Sequence, residues 1–270
     1  MSQRVEGVRR LELYQELDDI VCAMKNMAQV ELQRLMRAEA VQQAAFTTTL
    51  SALGYLEQQF SAMLPEQPGR SVLIVFGSER GFCGGFNEQV VRAFREKAGT
   101  PDEVMVMGSR LAYKLQDSEG VTTLTGPATA AEVLPCAQQL IEWLLQRPLP
   151  AQLTLLSHGL HGVAYDVLLP VPELPPNQPP RSLQVHLAPA YLRTELQWQY
   201  LQQGLIHSLL VSLKTENRLR LQQMEGAREH LQELTHALRL RLNALRQQEI
   251  VEEIEIILAD QGAWDQRLSD

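Results

Sequence analysis

Between Arg10 and Met63 the chain has no proline and a single glycine, Gly54, while apolar residues recur at Leu13, Leu17, Ile20, Met24 and Met27 and again at Ala28, Leu32 and Leu35. Steps of three and four place such residues on one stripe of an α-helix. Unbroken, this helix would extend roughly 80 Å at 1.5 Å per residue, far beyond an ordinary globular helix. "LPEQPGRS" (Leu64 to Ser71) stops it with two prolines and a glycine. Helical texture returns from about Ala190, with Met224, Ala227, Leu231, Leu234, Leu238, Leu242 and Leu245 at similar spacing and Ile250, Ile254 and Ile257 continuing after one slip. That approximates a heptad seam, irregular enough to bend. The simplest arrangement pairs the two terminal segments antiparallel.

The pattern between them differs. "SVLIVF" reads as a buried strand, "GGFNEQVVRAFREKA" as a helix, "DEVMVMG" as a strand, "SRLAYKLQD" as a short helix and "GVTTLTG" as a strand. "TAAEVLPCAQQLIEWLLQR" makes a further helix that Pro135 is expected to bend. "AQLTLLSHG" and "GVAYDVLLPV" form a hairpin joined through His158 to Gly162, and the proline-rich "PVPELPPNQPPRS" is extended and exposed. Alternating strands and helices imply right-handed crossovers and a largely parallel sheet. The expected fold class is therefore α/β: a long antiparallel coiled coil of the N- and C-terminal helices with an inserted Rossmann-like α/β domain. The divisions fall at 1–64, 65–189 and 190–270.

Composition narrows the function. The chain has 270 residues, 45% hydrophobic and 21% charged, as in globular rather than disordered proteins. Its longest apolar run, Val72 to Phe76, is too short for a bilayer, so no direct insertion is expected. The charged N-terminus lacks the apolar block of a secretory signal, which points to the cytosol. Net charge of −8 and the absence of a basic run argue against nucleic acid as a partner. Cys22, Cys83 and Cys136 are scattered, without the spacing of a disulfide framework or a zinc site.

Candidate chemistry gathers in "FGSERGFCGGFNEQV", Phe76 to Val90. Strand, glycine-rich turn and helix is the setting in which backbone amides hold phosphate. Yet Gly81, Gly84 and Gly85 spell GxxGG, neither a dinucleotide fingerprint nor a P-loop. Cys83 near a helix N-terminus is a conceivable nucleophile, with His158 or His161 as its base. The plainer reading is a tight turn needing small residues for close packing, with Asn87 capping the helix. On that reading no cofactor, metal or catalytic residue is expected.

The segment "GSERGFCGGFNEQVVRAF" resembles the signature S/D-R-G-L-C-G-G-x-N of the gamma subunit of F-type ATP synthases. "IVCAMKNMAQVELQRL" (Ile20 to Leu35) is similar to that family's ITxAMxMVAxxKL. "LRLRLNALRQQEIVEEIEIILADQGA" (Leu238 to Ala263) resembles its LxLxYNxxRQAxITxELxEIxxGAxA, and "LLVSLKTENRLRLQQMEGA" (Leu209 to Ala227) its SxASEHxxRMxAM. The resemblance spans most of the chain, in order. It implies a non-catalytic rotor shaft on the cytoplasmic face of the cell membrane. Its expected partners are the alpha and beta subunits of the catalytic ring, the epsilon subunit and the membrane rotor ring. Met24, Arg246, Gln247 and the turn residues Gly81, Cys83, Gly84 and Gly85 match family positions that meet the ring. For Met24 and the turn, plain packing is the alternative; for Arg246, simple solvation.

Several positions depart from the family. Asp18 and Asp19 replace a base, Glu31 stands at a lysine position, Asn217 at a histidine, Leu242 at a tyrosine and Val251 at a threonine. Added acid would oppose acidic ring loops, each exposed pair counting for about 0.2–1 kcal/mol, which implies a specialised paralogue with its own ring. The competing expectation is a gamma-like coiled-coil adaptor of another ATPase-driven assembly.

Overall fold

The computed structural model describes residues 3–60, 69–97, 99–172 and 185–268. The prolines of Leu64 to Ser71 and most of the stretch from Pro170 to Ser182 lie outside them. Two helices dominate: α1, Gln3–Phe60, and α5, Pro189–Leu268. Between them come β1 (Ser71–Phe76), α2 (Phe86–Lys97), β2 (Glu103–Met107), α3 (Ser109–Lys114), β3 (Val121–Leu124), α4 (Val133–Leu145), β4 (Gln152–Gly159) and β5 (Gly162–Leu169). The chain divides into a helical unit, Met1–Asn26 with Met224–Asp270, and a mixed unit, Met27–Gln223.

In the mixed unit the sheet order is β3-β2-β1-β4-β5. The first four strands are parallel, and β5 closes one edge antiparallel to β4. β1 is apolar from Val72 to Phe76, as suits a strand with both faces covered. Val72, Ile74 and Phe76 join α4 with Leu35, Leu53, Leu201, Leu205 and Leu209 of the long helices. Leu73 and Val75 point the other way, into a cluster with Val90 and Leu111 of α2 and α3. The long helices are thus part of this unit's core. Pro135 does not bend α4: it lies in the first turn, where its missing N–H costs no helical hydrogen bond.

The helical unit pairs α1 and α5 antiparallel. Arg4 meets Glu249 at 2.9 Å, Asp18 meets Arg228 at 3.3 Å and Lys25 meets Glu225 at 3.0 Å, each step up one helix matching a step down the other. The same sense holds in the mixed unit, where Lys214 meets Glu39, Arg193 meets Glu57, and the rings of Phe46 and Tyr200 stack at 5.4 Å.

On α5 Met224 is buried and Leu231, Leu234, Leu238, Leu242 and Leu245 are partly buried, as the stripe predicts, but on the first part of α1 the seam differs. Gly7, Leu11, Tyr14, Asp18 and Val21 form one line of partly buried residues here, joined by Cys22, Met24 and Lys25, whereas Leu13 (51% exposed), Ile20 (55%) and Met27 (66%) face outward. Farther along the expected stripe Ala28 and Leu35 are buried. Gly7 lies so close to Leu242 that a Cβ there would sit 2.6 Å from a leucine methyl. The helix carries two apolar stripes, and the one holding a glycine and an aspartate is the inner one. Ala227 is exposed, and so are Ile250, Ile254 and Ile257. The reason for the isoleucines is that α1 runs out: Arg4, near its first residue, already stands opposite Glu249.

Candidate functional site

The glycine turn connects β1 to α2 and is fastened on several sides. The Gly77 amide donates to the Met107 carbonyl at 2.8 Å, extending the β1–β2 pairing. A Cβ on Gly77 would lie 2.1 Å from that of Leu111, so only glycine fits there. Asn87 does not cap α2. Its Oδ1 accepts from the Ser78 amide at 3.0 Å and its Nδ2 donates to Ser78 Oγ at 2.7 Å, tying the first turn of the helix to the end of the strand. Glu79 accepts from the amide and hydroxyl of Ser109 (2.9 and 2.7 Å) and from the amide of Gly126 at 2.8 Å. Burial pushes its carboxyl up, but those donors and nearby Arg110 outweigh it and leave the pKa below the ordinary value.

From α5, Arg220 reaches the same turn. Its Nε donates to the Gly81 carbonyl at 3.2 Å, its Nη1 to Asn217 Oδ1 at 2.9 Å and its Nη2 to the Glu216 carboxylate. Both members of the Glu216–Arg220 pair are buried, with side chains 4% and 8% exposed. Burial pushes the Glu216 carboxyl up, and Arg220 pulls it back. Sequence reasoning missed this clamp. It left two traces: the i,i+4 spacing of a glutamate and an arginine, which usually marks a solvated helix face, and the match of Glu216 and Arg220 to the E and R of the family's SEHxxR.

The small residues of the turn play unequal parts. Gly84 has φ 57 and a Cβ there would meet Gln223 at 3.2 Å, whereas Gly81 has neither a left-handed φ nor a neighbour within 4 Å. Gly85 is open apart from Gln89 at 3.8 Å. Close packing therefore explains Gly84 and not Gly81 or Gly85. Cys83 is buried, with its Sγ 3.4 Å from Ser78 Oγ. Burial raises its thiol pKa, and Glu216 adds to the rise against Ser78 and Arg220. That is the opposite of what a nucleophile needs. His158 is engaged elsewhere: Nε2 lies 3.1 Å from Gln89 Oε1, Nδ1 lies 3.0 Å from the Gly159 carbonyl, and the ring stacks on Phe86. The geometry thus offers no pairing of Cys83 with His158.

Met24, Arg246 and Gln247 belong to the helical unit. Met24 is partly buried; Arg246 and Gln247 are exposed. Lys25, beside Met24, pairs with Glu225, while Arg246 lies near Glu249, the partner of Arg4. The two places are therefore separated by roughly 30 Å of helix. Of the acidic departures, Asp18 pairs with Arg228. Glu31, in the mixed unit, is 9% exposed and accepts from the Ala130 amide at the short helical turn before α4. Only Asp19 of the three is exposed. Among the described residues, no cluster of histidine, cysteine, aspartate and glutamate is placed to hold a metal ion.

A parallel-dominated sheet with helices on both faces, carried on two long antiparallel helices, defines a coiled-coil protein with an α/β insert rather than a free-standing nucleotide-binding domain. The chain belongs to the ATP synthase family, whose model matches residues 6–262. An ATP synthase gamma chain of Geotalea daltonii is 24% identical over 277 residues, covering 93% of this chain and 95% of its own. The gamma chain of Saccharopolyspora erythraea is 26% identical over 291 residues, covering 94% and 92%. Among solved structures, the rotor of the Euglena gracilis mitochondrial ATP synthase shares the fold. Its TM-score is 0.64 at 13% identity, over 92% of this chain and 99% of that one. A central-stalk chain of the Tetrahymena thermophila mitochondrial enzyme gives 0.55 at 17% identity, over 77% and 99%.

Proposed function

We infer that this chain is the central-stalk subunit of an F-type rotary ATPase, coupling ion translocation through a membrane ring to ATP synthesis or hydrolysis in an alpha/beta ring. The observation that carries the reading is the outward stripe of Leu13, Leu17, Ile20 and Met27 beside a seam that is already closed. A helix pair with its own seam satisfied and a second apolar stripe in water is suited to an apolar sleeve supplied by other subunits. The family match over residues 6–262 and the gamma-chain relatives support the same reading.

In this function residues 1–64 and 190–270 form the shaft and 65–189 its globular part. The shaft biases conformations that the ring subunits already sample and performs no catalysis itself. Met24 meets ring loops, Arg246 and Gln247 reach a beta-subunit loop near the far end, and the Gly81–Gly85 turn meets beta-subunit loops lower down. The partners are alpha, beta and epsilon subunits and the membrane rotor ring. No helix among the described residues is long and apolar enough to cross a membrane. Attachment at the cytoplasmic face of the cell membrane runs through the rotor ring.

Affinity purification of the tagged chain from membranes tests this. Recovery of alpha, beta, epsilon and ring subunits with ATPase activity is expected. Recovery of an ATPase without a membrane ring would replace the shaft by the adaptor reading.

A further inference from the structure

We propose that Phe82 is the side chain through which the glycine turn engages its partner, entering an apolar pocket with a carboxylate at its rim, while the Gly81 carbonyl, Cys83 and Gly84 serve to hold it there. The proposal deepens the reading of this turn as a ring contact and rests on it. Of the six phenylalanines in the chain, Phe82 alone is exposed, at 67%. It also has a left-handed backbone, φ 61, the one such non-glycine residue among those described. A bulky residue adopts that conformation only where its surroundings over-determine it. Here they do. Arg220 holds the Gly81 carbonyl on one side, and buried Cys83 rests against Ser78 on the other. Gly84, left-handed itself, lies against Gln223.

The chain thus spends backbone strain to keep an aromatic ring in water, where it adds nothing to its own core. Interfaces concentrate their binding energy in such aromatic anchors. Arg80, two residues earlier, is exposed as well, which supplies the rim charge and calls for an acidic counterpart. Glu79 is engaged with Ser109 and Gly126, and Glu216 is paired with Arg220, although the charge of Arg80 also acts on Glu216.

The test uses the assembled ATPase. A photoreactive benzoylphenylalanine at position 82 is expected to cross-link a ring subunit. Phe82→Ala should weaken retention of the chain by about thirtyfold, and Phe82→Leu should restore most of it. Phe82→Gly controls for folding, because glycine adopts the left-handed conformation freely: the isolated chain should melt no lower than wild type while retention still falls. If the photoreactive residue cross-links from position 80 but not 82, and Phe82→Ala is retained like wild type, the turn remains a contact and Phe82 is not its anchor. If neither position cross-links, the contact reading of the turn fails with it.

Discussion

Replacing Arg220 by methionine removes the guanidinium from an ion pair whose side chains are 8% and 4% exposed, leaving the Glu216 carboxylate enclosed without its paired counter-charge and with only the through-space influence of Arg80. Breaking a buried pair from one side costs about 3–5 kcal/mol. The double variant Glu216→Gln/Arg220→Met removes both charges. It keeps the loss of the charge-assisted donors to Gly81 and Asn217 but leaves no buried charge unpaired, so it should be less unstable than the single variant. The pH dependence has a definite sign. Burial raises the folded-state pKa of Glu216, and removing Arg220 raises it further. A raised carboxyl favours the folded state below its unfolded pKa, and that advantage is lost as pH rises through the folded value. The deficit of Arg220→Met should therefore be largest at about pH 8 and shrink toward about pH 5. Urea unfolding of the full chain followed by the fluorescence of Trp143 and Trp198, both in the mixed unit, reads it. A loss below about 1 kcal/mol at the higher pH, or a double variant as unstable as the single one, would refute the clamp.

Other substitutions separate the glycines. Gly77→Ala and Gly108→Ala should each cost about 1–3 kcal/mol, because the new Cβ would meet Leu111 at 2.1 Å or the Gly77 carbonyl oxygen at 2.5 Å; Gly81→Ala, with open space, should melt like wild type. Glu79 contributes stability above the ordinary carboxylate pKa and loses it as pH falls through its lowered folded value. Glu79→Gln should accordingly lower the melting temperature at neutral pH, with the gap to wild type closing by about pH 3. In the helical unit, Gly7→Cys with Leu242→Cys should form a disulfide under mild oxidation, detected by peptide mapping; failure to form would contradict the antiparallel register.

Much of the architecture was legible in the sequence because strands and turns announce themselves locally. "SVLIVF" could only be a strand covered on both faces, and a glycine-rich link to an amphipathic helix follows it directly. The long helices were legible too, from the scarcity of proline and glycine, and so was most of the seam on α5, where Met224 is buried and Leu231, Leu234, Leu238, Leu242 and Leu245 are partly buried; the seam on the first part of α1 was not. Leu13, Leu17, Ile20, Met24 and Met27 form the more apolar stripe, yet the closed seam runs through Gly7 and Asp18, where Leu242 and Arg228 complete it from far along the chain. Ranking stripes by hydrophobicity therefore chose a face that points away at Leu13, Leu17, Ile20 and Met27, although Met24 is partly buried and Ala28 and Leu35 on the same run are buried. Pro135 shows a boundary effect: the same residue bends a helix in mid-run and starts one in the first turn. The turn itself was found through its glycines, but what fixes it was not, since Glu216 and Arg220 look like any solvated helix pair until packing encloses them. Nothing in the sequence signals that Phe82 adopts a left-handed conformation, because tertiary contacts impose it. Glu31 teaches the same lesson, as an apparent surface acid whose carboxylate faces the Ala130 amide.

Rotation tests the account most directly. The assembled ATPase would be fixed by its catalytic ring, with a bead attached through Tyr113→Cys, a position 73% exposed in the mixed unit. ATP should drive the bead in continuous, one-directional turns. ATP hydrolysis by the same complexes with the bead stationary would contradict the claim that this chain is the rotor.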